Sequence, residues 1–214
     1  MKLNKSATQA LVISLVIMAV GLVAWLLRGA SAYYASDARM IDFTQLWLSV
    51  GAAVVFSLLF GIARYSLAAG VALAVGTAHD LLVTYGICGV IALVLPQSAT
   101  LPLALLLTVA WTYCQTLPRL RVARQIYRST SLRDTTMDEI AVKAANSNPM
   151  PLIVAPAMAL LIFIAVAVSG NVRLLASILP LAVALVVSIY SARAISPFVW
   201  SAVAATRRPA RRRA

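Results

Sequence analysis

Six apolar runs, each close to the ~20 residues that cross a bilayer as a helix, divide this chain at roughly 10–27, 45–62, 70–95, 101–117, 152–168 and 174–199. Their spacing predicts an all-α integral membrane protein, one six-transmembrane-helix bundle over residues 1–214. With 62% apolar and only 11% charged residues, the chain lies outside the soluble globular class.

The formal net charge of +12 does not point to nucleic acid, because the basic residues sit at the edges of apolar runs rather than on a soluble face. Connections after the first, third and fifth runs carry only Arg28, Arg39 and Arg173. Arg64, the group from Arg119 to Lys143 and the tail from Arg207 to Arg213 fall on the other side, so the positive-inside rule puts both termini in the cytoplasm. The first run follows a basic start and is read as a retained signal anchor, with Ala30-Ser31-Ala32 a weak cleavage candidate. The outward loop from Arg28 to Thr44 is too short for a folded domain, which needs ~40 residues or more.

The cytoplasmic loop at 119–150 reads as a helix beginning near Asp134, with Asp138 and Glu139 in its first turns. It either lies on the membrane surface or belongs to a solvated basic linker. The basic tail at 201–214 could take anionic lipid headgroups at ~1 kcal/mol per basic residue, or act only as a topogenic tail. Pro149 and Pro151 mark the entry to the fifth run, while Pro156 and Pro180 fall inside runs and invite kinks. Cys88 and Cys114 fall inside predicted spans, where thiols pack as small apolar groups.

Asp80 is the residue that such a bundle must explain. It follows His79 inside the third run, and a carboxylate near mid-bilayer costs several kcal/mol unless it faces the protein interior or water. Ten residues beyond Gly70, at ~1.5 Å per residue, it lies ~15 Å deep. The fourth run brings Thr112, Tyr113, Gln115 and Thr116 to depths of ~17 to 23 Å, which straddle that level. Hydrogen bonds from Thr112, Tyr113 or Gln115 to Asp80 would clamp the third and fourth helices at ~0.6 to 2 kcal/mol each. A wet cluster would instead let Asp80 exchange protons, with His79 tuning or relaying them. His79 projects about 100 degrees from Asp80 around the helix, so the two need not share a partner. No Walker-type loop, nucleophile elbow, HExxH or CxxC occurs, so no enzyme activity, cofactor or metal is expected.

The stretch RYSLAAGVALAVGTAHD, Arg64 to Asp80, followed by LLVTYG, resembles the membrane region of SecF, the protein-export subunit of the RND superfamily. The His-Asp pair and the glycine six residues on are its specific part. SIYSARAISP, Ser188 to Pro197, is similar to the pattern closing the last SecF helix, and Asp138-Glu139-Ile140 with Asn146 is a weaker match. SecF usually carries a periplasmic domain after its first helix and an acid in its fourth. Here only Arg28 to Thr44 stands in the first place, Gln115 in the second, and Arg121-Val122 replaces an expected Asp-Arg pair, with Arg124 the nearest basic match.

The resemblance implies a SecF/RND-like bundle in a bacterial inner membrane, partnered by a SecD-like membrane protein and the Sec channel in protein export or insertion. His79, Asp80, Thr112, Tyr113 and Gln115 are its proton-linked or gating candidates. The alternative is a small RND-type transporter that moves a lipid or hydrophobic solute with a proton at Asp80.

Overall fold

The computed structural model describes residues 5–28, 43–91, 93, 101–129, 135–147 and 151–206. Among these the chain is helical apart from short turns: α1 (Lys5–Arg28), α2 (Phe43–Arg64), α3 (Leu67–Ile91), α4 (Leu101–Ser129), α5 (Met137–Ala145), α6 (Pro151–Val168), α7 (Val172–Ala194) and α8 (Ser196–Thr206).

The hub is α3, which packs against α1, α2, α4, α7 and α8. Its first half is built of small residues, with Ala68, Ala69, Gly70, Ala72, Ala74 and Gly76 all buried, and small side chains let membrane helices approach closely. Two crossings use that freedom fully. A Cβ on Gly61 of α2 would lie 2.4 Å from the Gly70 Cα, and one on Gly21 of α1 would lie 2.2 Å from the Gly86 Cα. Between α2 and α3 the chain reverses in two residues. The amides of Tyr65 and Ser66 both donate to the Gly61 carbonyl at 3.1 Å, and Ser66 Oγ caps α3 by accepting from the Ala69 amide at 3.2 Å.

Among the described residues three helical segments are long and apolar enough to cross a membrane, Trp47–Arg64, Leu67–Ile91 and Leu174–Thr206, and two shorter ones, Thr8–Ala24 and Leu152–Val168, are apolar. The outward faces of α1, α2 and α6 expose large apolar side chains such as Leu15, Phe56 and Leu161, the pattern of helices that meet lipid or another protein.

Three expectations change in detail. The sixth run is not one helix to residue 199, because the chain breaks at Ile195 (φ −120, ψ −60). Pro197 has no amide hydrogen to continue the ladder, and the Phe198 and Val199 amides restart it on the Ile195 carbonyl. The fourth helix does not stop at 117 but runs through Pro118 to Ser129, so the first part of the presumed cytoplasmic loop is helix. The loop's own helix starts at Met137 rather than near Asp134, and Asp134 lies outside the described residues. Thr136 caps it in a reciprocal box with Glu139. Its buried Met137, Ile140 and Ala144 join Leu120, Ala123, Val199 and Trp200 in one core cluster, so α5 is docked on α4 and α8 rather than free as a linker. The outward loop and the basic tail from Arg207 also lie outside the described residues.

Candidate functional site

Buried polar residues recur at helical spacing on the faces that α3 and α4 turn inward. On α3 they are Thr77, Asp80 and Thr84, and on α4 they are Thr108, Thr112, Gln115, Thr116 and Arg119, all at most 1% exposed. Spacings of three and four residues put each set on one side of its helix. Ser188 and Ser191 of α7 and Ser196 of α8 are buried as well, so a polar seam runs through an otherwise apolar bundle.

Asp80 is its centre. His79 Nδ1 lies 2.9 Å from Asp80 Oδ1, and Thr112 Oγ1 donates to Asp80 Oδ2 at 2.5 Å. Ser191 of α7 stands beside the same carboxylate, its hydroxyl donating to the Ser188 carbonyl at 3.4 Å. On its other side the imidazole reaches α1, with Nε2 2.6 Å from Ser14 Oγ, and Tyr190 flanks its ring at 6.3 Å between centroids. Four helices therefore meet at one pair: α3 supplies it, α1 and α4 each add a hydrogen-bonding hydroxyl, and α7 places Ser191 beside it. Neighbouring positions on a helix diverge by about 100 degrees, yet His79 and Asp80 bond one another directly.

The hydroxyls at the two ends have a choice. Ser14 Oγ also lies 2.8 Å from the Ala10 carbonyl, and Thr112 Oγ1 lies 2.8 Å from the Thr108 carbonyl. Each hydroxyl has one proton to donate, so it serves either its own backbone or the pair. When Ser14 donates to Ala10, Nε2–H must donate to Ser14. With Nδ1–H on Oδ1 and Thr112 donating to Oδ2, the pair is then an imidazolium beside a carboxylate, with no net charge. Removing one proton leaves a neutral ring whose bare Nε2 accepts from Ser14. Adding one puts a proton on Oδ2, which donates to Thr112 while Thr112 turns to Thr108. The same heavy atoms satisfy three proton counts by hydroxyl rotation alone.

Of the five residues singled out from sequence, His79, Asp80 and Thr112 come together, and Tyr113 and Gln115 do not join them. The Tyr113 hydroxyl donates to Ser57 Oγ at 3.0 Å, Ser57 lies 3.1 Å from Thr77 Oγ1, and the Tyr113 ring packs on Phe60 at 5.6 Å. This second polar junction ties α4 to α2 and α3. Gln115 faces Arg119 instead, whose Nη1 donates to the Gln115 carbonyl at 2.8 Å and to its Oε1 at 3.3 Å.

Compared with protein-family models, with curated proteins and with solved structures, the chain matches none.

Three contributors were not singled out in the sequence. Ser14 is the one hydroxyl in the first apolar run, a signal that was present. Arg119 counts by composition as a loop cation, but it stands seven residues beyond Thr112 on the same face of α4 and is 1% exposed. Ser191 sits in the SIYS segment without being marked as a neighbour of the carboxylate. Four buried polar atoms, Thr84 Oγ1, Thr116 Oγ1, Arg119 Nε and Ser196 Oγ, have no partner among the described residues. Buried polar groups are nearly always satisfied, by ordered water where protein offers nothing. Thr84 lies one turn beyond Asp80 along α3, while Ser196 borders Gly76 one turn before it, so these atoms flank the pair on both sides. Among the described residues no group of three His, Cys, Asp or Glu side chains could hold a metal ion. Cys88 is buried against Leu81 and Leu105, and Cys114 is exposed.

Proposed function

We propose that this chain is a six-helix, SecF-like subunit of a bacterial inner membrane, with both termini cytoplasmic, that assists protein export or membrane insertion alongside a SecD-like partner and the Sec channel. The observation that carries the reading is the His79–Asp80 pair, buried in the hub helix and hydrogen-bonded to α1 and α4, with Ser191 of α7 beside it. A carboxylate placed this deep in an apolar bundle is costly and marks ion or proton pathways in membrane proteins. Each proton count fixes a different direction for the Ser14 and Thr112 hydroxyls, so protonation is linked to the contacts α3 makes with α1 and α4. Gln115 beside Arg119, where the SecF pattern has an acid, leaves this chain with a shortened relay. Energy coupling then falls mainly to the partner, and this subunit acts as a proton-responsive scaffold.

The reading is tested by purifying the tagged protein from native membranes in mild detergent and identifying what accompanies it. A SecD-like protein or the Sec channel in near-stoichiometric amount supports it. Recovery of the protein alone favours the alternative, a small RND-type proton-coupled transporter of a lipid or hydrophobic solute. In a translocation assay for the first reading, or a transport assay for the second, Asp80→Asn, nearly isosteric but unable to carry a proton, abolishes coupled activity; full activity of that variant would reduce the pair to a static clamp.

A further inference from the structure

A second polar feature lies away from the His79–Asp80 pair, where α4 extends past the bundle. A cavity of about 400 Å³ is lined by Tyr65, Arg121, Arg124, Gln125, Arg128 and Ser129. Its three arginines come from successive turns of one helix face, and Arg64 joins them from the end of α2, its guanidinium 5.5 Å from the Tyr65 ring centroid. Arg121 is held in place by its Nε, which donates to the Tyr65 hydroxyl at 3.0 Å, and by its guanidinium over the same ring at 5.9 Å. Among the described residues no carboxylate forms an ion pair with any of these four arginines. Asp138 and Glu139 lie on the neighbouring α5, and Glu139 is engaged in its capping box.

The position of Tyr65 sets the depth of this cleft. It stands in the two-residue turn between Trp47–Arg64 and Leu67–Ile91, both long and apolar enough to span, so once these helices cross the bilayer Tyr65 lies at a membrane face, where tyrosines concentrate. Four like charges gathered at headgroup depth with no ion-pair partner among the described residues call for an anion. Guanidinium groups bind phosphate oxygens through paired, charge-assisted hydrogen bonds. With Nε committed to Tyr65, Arg121 still has both terminal nitrogens free to turn toward the cleft. Attraction of Arg128 to the carbonyls at the end of α4 accounts for one of these charges, but not for Arg121 and Arg124, which lie two turns and one turn earlier.

We propose that this cleft is a binding site for the phosphate of an anionic phospholipid headgroup. The inference rests on α2 and α3 crossing the bilayer and is independent of the export reading. The full chain in detergent is titrated with phosphatidylglycerol, phosphatidylcholine or inorganic phosphate, and bound lipid is read by native mass spectrometry. Phosphatidylglycerol is retained at least tenfold better by the wild type than by the Arg121→Gln/Arg124→Gln/Arg128→Gln variant. A variant with the five tail arginines from Arg207 to Arg213 changed to Gln keeps it, which separates this site from the tail. Tyr65→Phe, which removes the hydroxyl that holds Arg121 and leaves every charge in place, weakens retention severalfold and guards against a folding defect in the triple variant. Equal retention by wild type and triple variant, or no preference over phosphatidylcholine, would overturn the proposal. So would saturation by inorganic phosphate that prevents lipid retention, which marks a soluble-anion site, or displacement of lipid only by an acidic peptide, which marks a protein-docking site.

Discussion

Adding one methyl group at Gly21 should disturb the polar site two turns away, and adding one to its facing residue should not. Ser14 meets His79, and Gly21 meets Gly86, each pair 65 positions apart in the chain. Both contacts therefore lie in one register of two parallel helices, and whatever moves one moves the other. A Cβ on Gly21 falls 2.2 Å from the Gly86 Cα and 2.4 Å from its carbonyl oxygen, both backbone atoms that cannot rotate away, whereas a Cβ on Gly86 meets nothing nearer than 3.4 Å. Bringing the first contact to the second's distance separates the helices by about 1.2 Å. If that displacement is shared along the register, the 2.6 Å contact between His79 Nε2 and Ser14 Oγ opens beyond hydrogen-bonding range.

Overpacking of this kind costs about 1–3 kcal/mol and the lost hydrogen bond about 0.6–2 kcal/mol, against a gain of roughly 0.5–1 kcal/mol from replacing a helical glycine. Gly86→Ala keeps the gain without the penalty, so the two variants should differ in stability by about 2 kcal/mol or more. Unfolding in detergent measures the difference. Because His79 is the chain's one histidine, the ¹⁵N resonances of histidine-labelled protein report the imidazole without ambiguity. Gly21→Ala should shift the Nε2 signal, and Gly86→Ala should leave it in place. Equal stability of the two variants with an unmoved imidazole spectrum would refute the shared register.

Thr112→Val removes the donor to Asp80 Oδ2 and leaves a buried carboxylate oxygen unsatisfied, which should cost about 1–3 kcal/mol. Thr112→Ser should restore most of it in the same unfolding assay. Gln115→Glu places a carboxylate where an amide oxygen now lies 3.3 Å from Arg119 Nη1. It should raise the unfolding temperature, by the equivalent of about 1–3 kcal/mol, because Arg119 is buried without a counter-charge among the described residues; a fall in unfolding temperature would show that its charge is already matched. Thr136→Ala breaks the capping box of α5 and should cost about 1 kcal/mol, seen as faster amide exchange confined to residues 137–145.

Much of the site was legible because polar residues in apolar runs announce themselves. Asp80 and Thr112 could be matched by depth alone, since a constant rise per residue converts sequence position into level in the bundle. Depth does not give direction. Tyr113 shares the level of Thr112, but one step of about 100 degrees turns it toward α2, whereas Gln115, nearly a turn further along the same side, is taken by Arg119. The helical spacing of Thr108, Thr112, Thr116 and Arg119 held that information, and it was masked by counting Arg119 with the loop cations. The extension of α4 to Ser129 was illegible for a different reason. Its stretch places Leu120, Ala123 and Tyr127 at helical spacing, but the four arginines around them read as loop cations, and the partner that covers Leu120 and Ala123, α5, is set by tertiary packing. The break at Ile195 was signalled by Pro197, which the run of apolar residues around it concealed.

Where the site sits in the packing decides what a proton could do there. Helix α6 packs mainly on α7, and most of its described side chains are exposed. Helix α1 is held almost wholly by α3, through small residues along the crossing and through Ser14, which gives His79 its hydrogen bond to another helix. Loss of a proton at His79–Asp80 reverses the polarity of that bond, two turns from the glycine crossing, and frees the Ala10 carbonyl on α1. On α4 the matching change is made by Thr112, whose hydroxyl turns between Asp80 and Thr108. A proton added or removed at the hub is thus felt as opposite reorganisations at its two neighbours: α1 responds to loss through Ser14, and α4 responds to gain through Thr112. That asymmetry follows from which nitrogen and which oxygen each hydroxyl faces, and it makes α1 and α4, rather than α6, the helices through which the pair would act on a partner.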